Sequence, residues 1–246
     1  MVQYGLIGNP LIHSFSKKYF IKKFKNEHIF NVDYENFELK NISKIKELIS
    51  RNPNLKGLNV TIPYKEKVFK YLDKIDEKAS KIGAVNVIKI LNNKLIGFNS
   101  DYLAFKHSLQ KWISKDFNAE ALVLGTGGSS KAISQALKDL NINHKFVSRN
   151  KNKNYKTYKD IINDPKIILD HKLIINTTPL GMYPKISSMP NLPYELITEE
   201  HYFYDLVYNP EKSEFLKKAE KNKARIKNGL EMLYTQAEIS WELWNK

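Results

Sequence analysis

A short apolar strand followed by a glycine turn and a helix is the feature that most restricts the fold of this chain. Residues 121–132 read ALVLGTGGSSKA. Four consecutive apolar residues are expected for a strand buried on both faces of a parallel sheet. Gly125 permits a tight turn, and Gly127 and Gly128 let backbone N–H groups approach a diphosphate at the positive end of a helix. The segment predicts a dinucleotide-binding α/β domain, although Ser130 replaces the third glycine of the usual fingerprint.

The loop after the next predicted strand bears on which dinucleotide binds. An NAD site usually places Asp or Glu there to hold the ribose 2′-hydroxyl. This chain instead offers Ser148, Arg149 and Asn150, followed by Lys151 and Lys153, with no nearby acid. A cationic loop suits a 2′-phosphate and favours NADP, whereas the alternative interpretation is a solvated basic loop.

Strand-like and helix-like segments alternate along almost the whole chain, which is typical of α/β layers. Strands are predicted over residues 2–7, 31–37, 55–60, 85–90, 94–98, 121–124, 145–147, 173–175, 202–204 and 225–226. Helices are predicted over 17–26, 42–49, 66–72 and 76–81, from 100 onward, up to 140 after the glycine turn, and along the final stripe of Leu233, Ala237, Trp241 and Trp244. The pattern changes near residue 101, so we expect two domains.

Composition excludes several other classes of protein. The chain carries a net charge of +14, but only three of its basic residues are arginine, the residue that nucleic-acid readers use for bidentate contacts. It contains no cysteine, and its six histidines show no metal-ligand spacing. No stretch is long and apolar enough for a membrane span, and no leader pattern precedes the first strand. We expect a cytoplasmic protein without a metal, a membrane or a nucleic-acid partner.

Two serines follow the first strand. Ser14 and Ser16 would point the same way in extended chain, with both hydroxyls at the start of a helix. Two hydroxyl donors at a helix N-terminus can bind a carboxylate. The alternative interpretation of Ser16 is that it simply caps the helix.

A second polar group follows the third strand. Asn59 and Thr61 alternate with apolar residues, so both would lie on one face, where buried polar side chains need partners. Lys65 lies just beyond them, and a lysine at the edge of a cleft can exchange protons near neutrality. Asn86 opens a later strand, and Asp101 follows the hairpin at the start of a helix. Asp101 either complements the helix dipole or faces Lys65 across the cleft.

Five motifs in this order resemble the shikimate dehydrogenase family. They are GNPLIHSFS, GLNVTIPYK, IGAVNV with GFNSDY, VLGTGGSSKA with SRN, and the pair NTTPLGM and NGLEMLYTQA. They extend from residue 5 to about residue 237. The resemblance implies an α/β fold with a mixed-sheet substrate domain over 1–101 plus 230–246, and a Rossmann-type NADP domain over 102–229.

The resemblance also implies a role for individual residues. Lys65 and Asp101 would be the catalytic pair, and the substrate would be held by Ser14, Ser16, Asn59, Thr61, Asn86, Tyr208 and Gln236. The cofactor would be held by Glu77, Gly125, Thr126, Gly127, Gly128, Ser129, Ser148, Arg149, Asn150, Lys153, Asn176, Thr177, Thr178, Leu206 and Gly229. Tyr208 would reach the nicotinamide end together with Leu206.

The implied activity is reversible reduction of 3-dehydroshikimate to shikimate with NADPH, in aromatic amino-acid and chorismate biosynthesis, by a monomer or homodimer. Ser148, Asn150 and Lys131 depart from the commoner residues of the cofactor motifs, which leaves the preference for NADP open. One alternative is a quinate or quinate/shikimate dehydrogenase that uses NAD. Another is a non-catalytic metabolite sensor on the same fold, which would have lost Lys65 or Asp101.

Overall fold

The computed structural model describes residues 1–12 and 14–246, and the chain divides into two compact units. The first unit is Met1–Asp101 with Gln236–Lys246, and the second is Tyr102–Thr235. In the described ranges no helix is both long and apolar enough to cross a bilayer.

The first unit is built on a mixed sheet of six strands. Its elements are β1 (Val2–Gly8), α1 (Ser16–Asn26), β2 (Val32–Glu38), α2 (Ile45–Arg51), β3 (Leu55–Val60), β4 (Lys74–Ile75), α3 (Glu77–Ile82), β5 (Val87–Leu91) and β6 (Lys94–Phe98). Short 3-10 helices cover Ile42–Lys44 and Lys67–Tyr71. The strand order is β2-β1-β3-β5-β6-β4. β1 is parallel to β2 and β3, whereas β5 is antiparallel to both of its neighbours.

Successive strand residues supply the two faces of this sheet, as the period of two requires. Leu6 and Val87 face a cluster that includes Phe20 of α1. Their chain neighbours Ile7 and Ile88 face the opposite cluster. Trp244 joins the first cluster, so the end of the chain closes that face of the sheet.

The second unit has a fully parallel sheet of six strands. Its elements are α4 (Ser100–Trp112), which begins in the first unit, β7 (Ala121–Leu124), α5 (Gly128–Asp139), β8 (His144–Ser148), β9 (Tyr155–Thr157), α6 (Tyr158–Asn163), α7 (Lys166–Asp170), β10 (Leu173–Asn176), β11 (Tyr202–Asp205), α8 (Glu214–Lys221), β12 (Arg225–Lys227) and α9 (Leu230–Asn245), which ends in the first unit. A 3-10 helix covers Tyr194–Leu196. The strand order β12-β11-β10-β7-β8-β9 is the doubly wound order of dinucleotide-binding sheets. The predicted fold class, one mixed sheet and one Rossmann-type sheet, is confirmed.

Several local predictions need correction. Helix α1 begins at Ser16 itself, and Phe15 occupies the cap position without a side-chain hydrogen bond, so Ser16 is not the cap. The predicted helix over 66–72 is a 3-10 helix, whereas the one over 42–49 is 3-10 only in its first turn and continues as α2. Strands β4 and β9 and helices α6, α7 and α8 were missed, because each is short or masked by lysine and asparagine. The hairpin loop is Asn92-Asn93, with both residues at positive φ, as a type I′ turn requires.

Gly57 of β3 provides a test of this packing. A Cβ added there would lie 2.4 Å from Cδ1 of Trp244, whose indole N–H donates to the carbonyl of Ile88 at 3.0 Å. We expect Gly57→Ala to lower the free energy of unfolding by about 1–3 kcal/mol, because the indole has to move. Gly127→Ala is the matched control, since a Cβ at that position meets nothing within 4 Å. Equal urea midpoints for the two variants would contradict this packing.

Candidate active site

The polar residues of the first unit gather where its strand order reverses. The chain passes from β1 outward to β2 and then returns to β3 on the other side of β1, so β1 and β3 flank a switch point. Ligands of open α/β sheets bind beyond the carboxyl ends of strands at such points. Ser14 and Ser16 follow β1 here, and Thr61 and Lys65 follow β3. The amide of Thr61 donates to the carbonyl of Ile7 at 2.9 Å, which joins the two strand ends.

Lys65 and Asp101 form an ion pair at this edge. The ammonium of Lys65 lies 2.6 Å from Oδ2 of Asp101, and the two side chains are 15% and 8% exposed. The other carboxylate oxygen, Oδ1, accepts from Nδ2 of Asn86 at 2.9 Å. Asp101 therefore does more than complement the dipole of α4: both of its oxygens are held.

The side chain of Asn86 uses almost all of its hydrogen-bonding capacity within the protein. One hydrogen of Nδ2 goes to Asp101 and the other to the hydroxyl of Ser100 at 2.9 Å. Oδ1 accepts from the backbone N–H of Ser100 at 2.7 Å. Since an amide oxygen has two lone pairs, Oδ1 retains capacity for one donor. Asn86 can accept a hydrogen bond from a ligand hydroxyl but cannot donate one without breaking an existing bond.

Asn59 lies deeper and has even less capacity. Its Oδ1 accepts from the hydroxyl of Tyr34 at 2.9 Å, and its Nδ2 donates to Ser240 at 3.0 Å. Burial raises the pKa of Tyr34, and a hydrogen bond from the Ser16 hydroxyl opposes that rise. Ser16 therefore lies beside Tyr34. Asn59 is buried and supports Tyr34 and Ser240, and it does not lie among the half-buried residues that a ligand could contact.

Sequence reasoning missed Tyr34, Ser100 and Ser240. All three are buried hydroxyl residues that join the predicted residues to one another. Ser240 follows Gln236 by one helical turn of α9, which is the one sequence signal that could have found it. Gln236 is half-buried, and its Oε1 lies 3.5 Å from the Ser100 hydroxyl.

In the second unit the glycine turn lies at the switch point between β7 and β10. Gly125 has φ of +115°, and a Cβ there would lie 2.7 Å from Oγ1 of Thr177. Thr177 donates to the carbonyl of Leu124 at 2.6 Å, so Ser130 must be the donor in the 2.6 Å contact between Ser130 and Thr177. Ser130 thus keeps the close helix–strand approach for which a third glycine is usually needed.

The residues around this turn fit a dinucleotide. Gly127 holds the cap position of α5 with open space where a Cβ would lie, so backbone N–H groups are accessible to a diphosphate. Thr126 and Ser129 flank it and are half-buried. The second predicted group lies at the end of β8, with Ser148 half-buried and the others exposed: Arg149, Asn150 and Lys153.

Burial raises the pKa of Tyr158 to about 12, and the nearby Arg149 guanidinium opposes that rise, so Arg149 lies in the neighbourhood of the first residue of α6.

Asn176, Thr177 and Thr178 brace the end of β10 with their side chains. Both oxygen lone pairs of Asn176 are taken by Thr178, and its Nδ2 donates to Asp205 at 2.9 Å and to the carbonyl of Leu180 at 3.2 Å. A cofactor would meet this segment through its backbone and methyl groups. Position 229 has room only for glycine, because a Cβ there would clash with the carbonyl oxygen of Leu206.

The remaining predicted residues are less informative. Tyr208 is half-buried beyond β11. Glu77 starts α3 with its side chain 83% exposed and pairs with Lys81 at 2.6 Å, and Lys81 lowers the pKa of Glu77. Its role toward a cofactor remains a prediction. Among the described residues, no group of three or more metal-ligating side chains could hold a metal ion.

The fold and the chemistry of these two edges define the class, a dinucleotide-dependent oxidoreductase built from two α/β units. Residues 6–88 match the family model described as the shikimate dehydrogenase substrate binding domain. A shikimate dehydrogenase (NADP(+)) from Methanococcus vannielii is 37% identical, over 98% of this chain and 90% of the relative. The chain therefore belongs to the shikimate dehydrogenase family.

Solved structures agree with this assignment. Shikimate dehydrogenase 1 from Peptoclostridium difficile superposes with a TM-score of 0.86 at 34% identity, covering 100% of this chain and 92% of the other. Shikimate 5-dehydrogenase from Thermus thermophilus, in complex with NADP(H) and shikimate, gives a TM-score of 0.84 at 27% identity, covering 99% and 93%.

Asp205 gives a test of the brace that holds the second edge. It is fully buried and accepts from Asn176, Val207 and Ser213, and burial raises its pKa to about 6 from 3.8. Because the folded pKa is raised, the stability from this group is present below pH 3.8 and is lost as pH rises through about 6.

Asp205→Asn removes that titration and retains the shape of the side chain. We expect the variant to gain stability over the wild type, by a margin that grows by roughly 1 kcal/mol or more between pH 5 and pH 7.5. Urea midpoints at both pH values measure it, with the exposed Asp116→Asn as the control. A margin that does not change with pH would refute the raised pKa of Asp205 in the folded protein.

Proposed function

We propose that this chain is an NADP-dependent shikimate dehydrogenase, which reversibly reduces 3-dehydroshikimate to shikimate in aromatic amino-acid and chorismate biosynthesis. The observation that carries the proposal is the Lys65–Asp101 pair, 2.6 Å apart at the polar switch point of the first sheet. The names of the relatives, and the shikimate bound to the Thermus thermophilus structure, support this choice of substrate.

The substrate residues divide by what they can still offer. Ser14, Ser16 and Thr61 are half-buried hydroxyls beyond β1 and β3, suited to an anionic carboxylate, toward which Ser16 would turn the proton that it otherwise donates to Tyr34. Asn86 has one acceptor position left, which suits a ring hydroxyl as donor. Gln236 and Tyr208 complete the proposed set.

Lys65 acts on the reacting oxygen. In the direction of reduction, its ammonium donates a hydrogen bond and then a proton to the carbonyl oxygen as that oxygen becomes a hydroxyl. Asp101 holds the ammonium at the edge, 2.6 Å from its Oδ2. In the direction of oxidation, Lys65 receives the proton back. When bound, NADPH supplies the hydride, and the protein supplies orientation and electrostatics.

The proposed cofactor site uses the second sheet. Gly125 and Gly127 in the turn before α5, with Gly128 at the first position of α5, would hold the diphosphate, and the planar guanidinium of Arg149 would bind the 2′-phosphate. Gly229, Leu206 and the β10 end would lie toward the nicotinamide.

The alternatives are less well supported. A quinate-type enzyme that uses NAD would favour an acid after β8, where this chain has Arg149. A non-catalytic sensor would have no need of a paired lysine and aspartate. The proposed enzyme is cytoplasmic, acts on a small molecule rather than a nucleic acid, and works as a monomer or homodimer.

Removing either member of the pair tests the catalytic assignment. Lys65→Met and Asp101→Asn should each lower kcat by about 10²-fold or more, because general acid–base contributions are of that size. Absorbance at 340 nm with shikimate and NADP+ measures it, and Lys67→Met, an exposed neighbour, should retain wild-type turnover. Wild-type rates in both pair variants would overturn the assignment.

Arg149 tests the cofactor preference. Arg149→Ala should raise the KM for NADP+ and hardly change that for NAD+, which reduces the preference about ten-fold or more. Lys151 and Lys153 can partly compensate. Lys138→Ala, at the far end of α5, is the control for loss of one charge. Equal catalytic efficiency of the wild type with NADP+ and NAD+ would argue for the quinate-type alternative.

A further inference from the structure

Ser240 lies at the centre of a buried hydrogen-bond network that reaches the reacting pair. It is fully buried on α9, one turn beyond Gln236. Its Oγ contacts three groups: the backbone carbonyl of Gln236 at 2.7 Å, Nδ2 of Asn59 at 3.0 Å and the hydroxyl of Ser100 at 3.2 Å. No other side chain described above joins the C-terminal helix to both β3 and the start of α4.

The direction of each bond follows from counting protons. A serine hydroxyl has one proton, and Ser240 donates it to the Gln236 carbonyl, its shortest contact at 2.7 Å and purely an acceptor. Ser240 must therefore accept from Asn59 and from Ser100. Because Ser100 donates its own proton to Ser240, its oxygen is left to accept from Nδ2 of Asn86 at 2.9 Å.

The Asn86 amide faces one way only. Its Nδ2 points at Ser100 and Asp101, and its Oδ1 points at the backbone N–H of Ser100. The reversed amide would place Oδ1 against the Asp101 carboxylate and leave the Ser100 N–H facing a donor. The carboxylate that holds Lys65 thus depends on an amide that Ser100 holds by its N–H and its hydroxyl, and Ser240 holds that hydroxyl from behind.

We propose that Ser240 is a positioning residue for the reaction: one buried hydroxyl on α9 holds Ser100 and, through it, the Asn86–Asp101–Lys65 array. The inference rests on the proposed function, since it assigns these residues to shikimate. It is limited to the substrate side, so the cofactor should bind as tightly when Ser240 is changed.

The test compares three substitutions in the full chain. Ser240→Ala removes the hydroxyl, Ser240→Cys nearly keeps the volume but hydrogen-bonds weakly, and Ser240→Thr keeps the hydroxyl. We expect kcat/KM for shikimate to fall about ten-fold or more in the Ala and Cys variants, and to recover in Thr. The KM for NADP+ should stay within about two-fold throughout. If the Thr variant does not fold, agreement between Ala and Cys decides the outcome.

Ser108→Ala is the matched control for loss of a buried serine. Ser108 is equally buried in the second unit, where it accepts from the Tyr204 hydroxyl at 2.9 Å. The Ser108→Ala variant should be less stable than the wild type but should keep the wild-type kcat/KM for shikimate. Near wild-type kcat/KM in Ser240→Ala or Ser240→Cys would overturn the proposal, as would equal rises in the KM for both substrates. A wild type inactive with shikimate would instead refute the proposed function itself.

Discussion

A partly buried carboxylate has to find donors for both of its oxygens, and the first unit depends on how Asp101 does so. One oxygen takes the Lys65 ammonium and the other takes Asn86, whose amide is oriented by the backbone and hydroxyl of Ser100. Because an unpaired charge in this position would be costly, these residues cannot be exchanged singly without loss. The chain returns to this sheet in α9, which supplies the hydroxyl of Ser240 to the same network.

The second unit meets a different constraint, the close approach of backbone to ligand and of backbone to backbone. Gly127 leaves its surroundings open, whereas Gly125 and Gly229 leave no room for a side chain. Around them, Ser130 hydrogen-bonds to Thr177, and Asn176 hydrogen-bonds to Asp205. A rigid edge whose side chains are satisfied internally offers its backbone to a cofactor, and specificity at the 2′ position then falls to exposed residues such as Arg149.

Sequence patterns predicted the sheet of the second unit well, because strands buried on both faces read as short apolar runs such as residues 121–124 and 173–175. Short elements rich in lysine and asparagine, such as β9 and α6, carry no such signal. In the first unit the order of polar residues along the chain left open whether Asp101 complements the helix dipole or faces Lys65, and only the family resemblance implied the pair. That order could not separate surface hydroxyls from buried supports, since Ser16, Tyr34 and Ser240 differ only in the partners that folding gives them.

The central claim is that Lys65 and Asp101 act as one unit, and a double-mutant cycle on kcat/KM for shikimate tests it most directly. If Asp101 works by holding Lys65, then adding Asp101→Asn to Lys65→Met should lower kcat/KM little further. The double variant should be about as active as the less active of the two single variants. Losses that multiply, so that the double variant falls by the product of the two single effects, would show that the two residues act independently and would contradict the account.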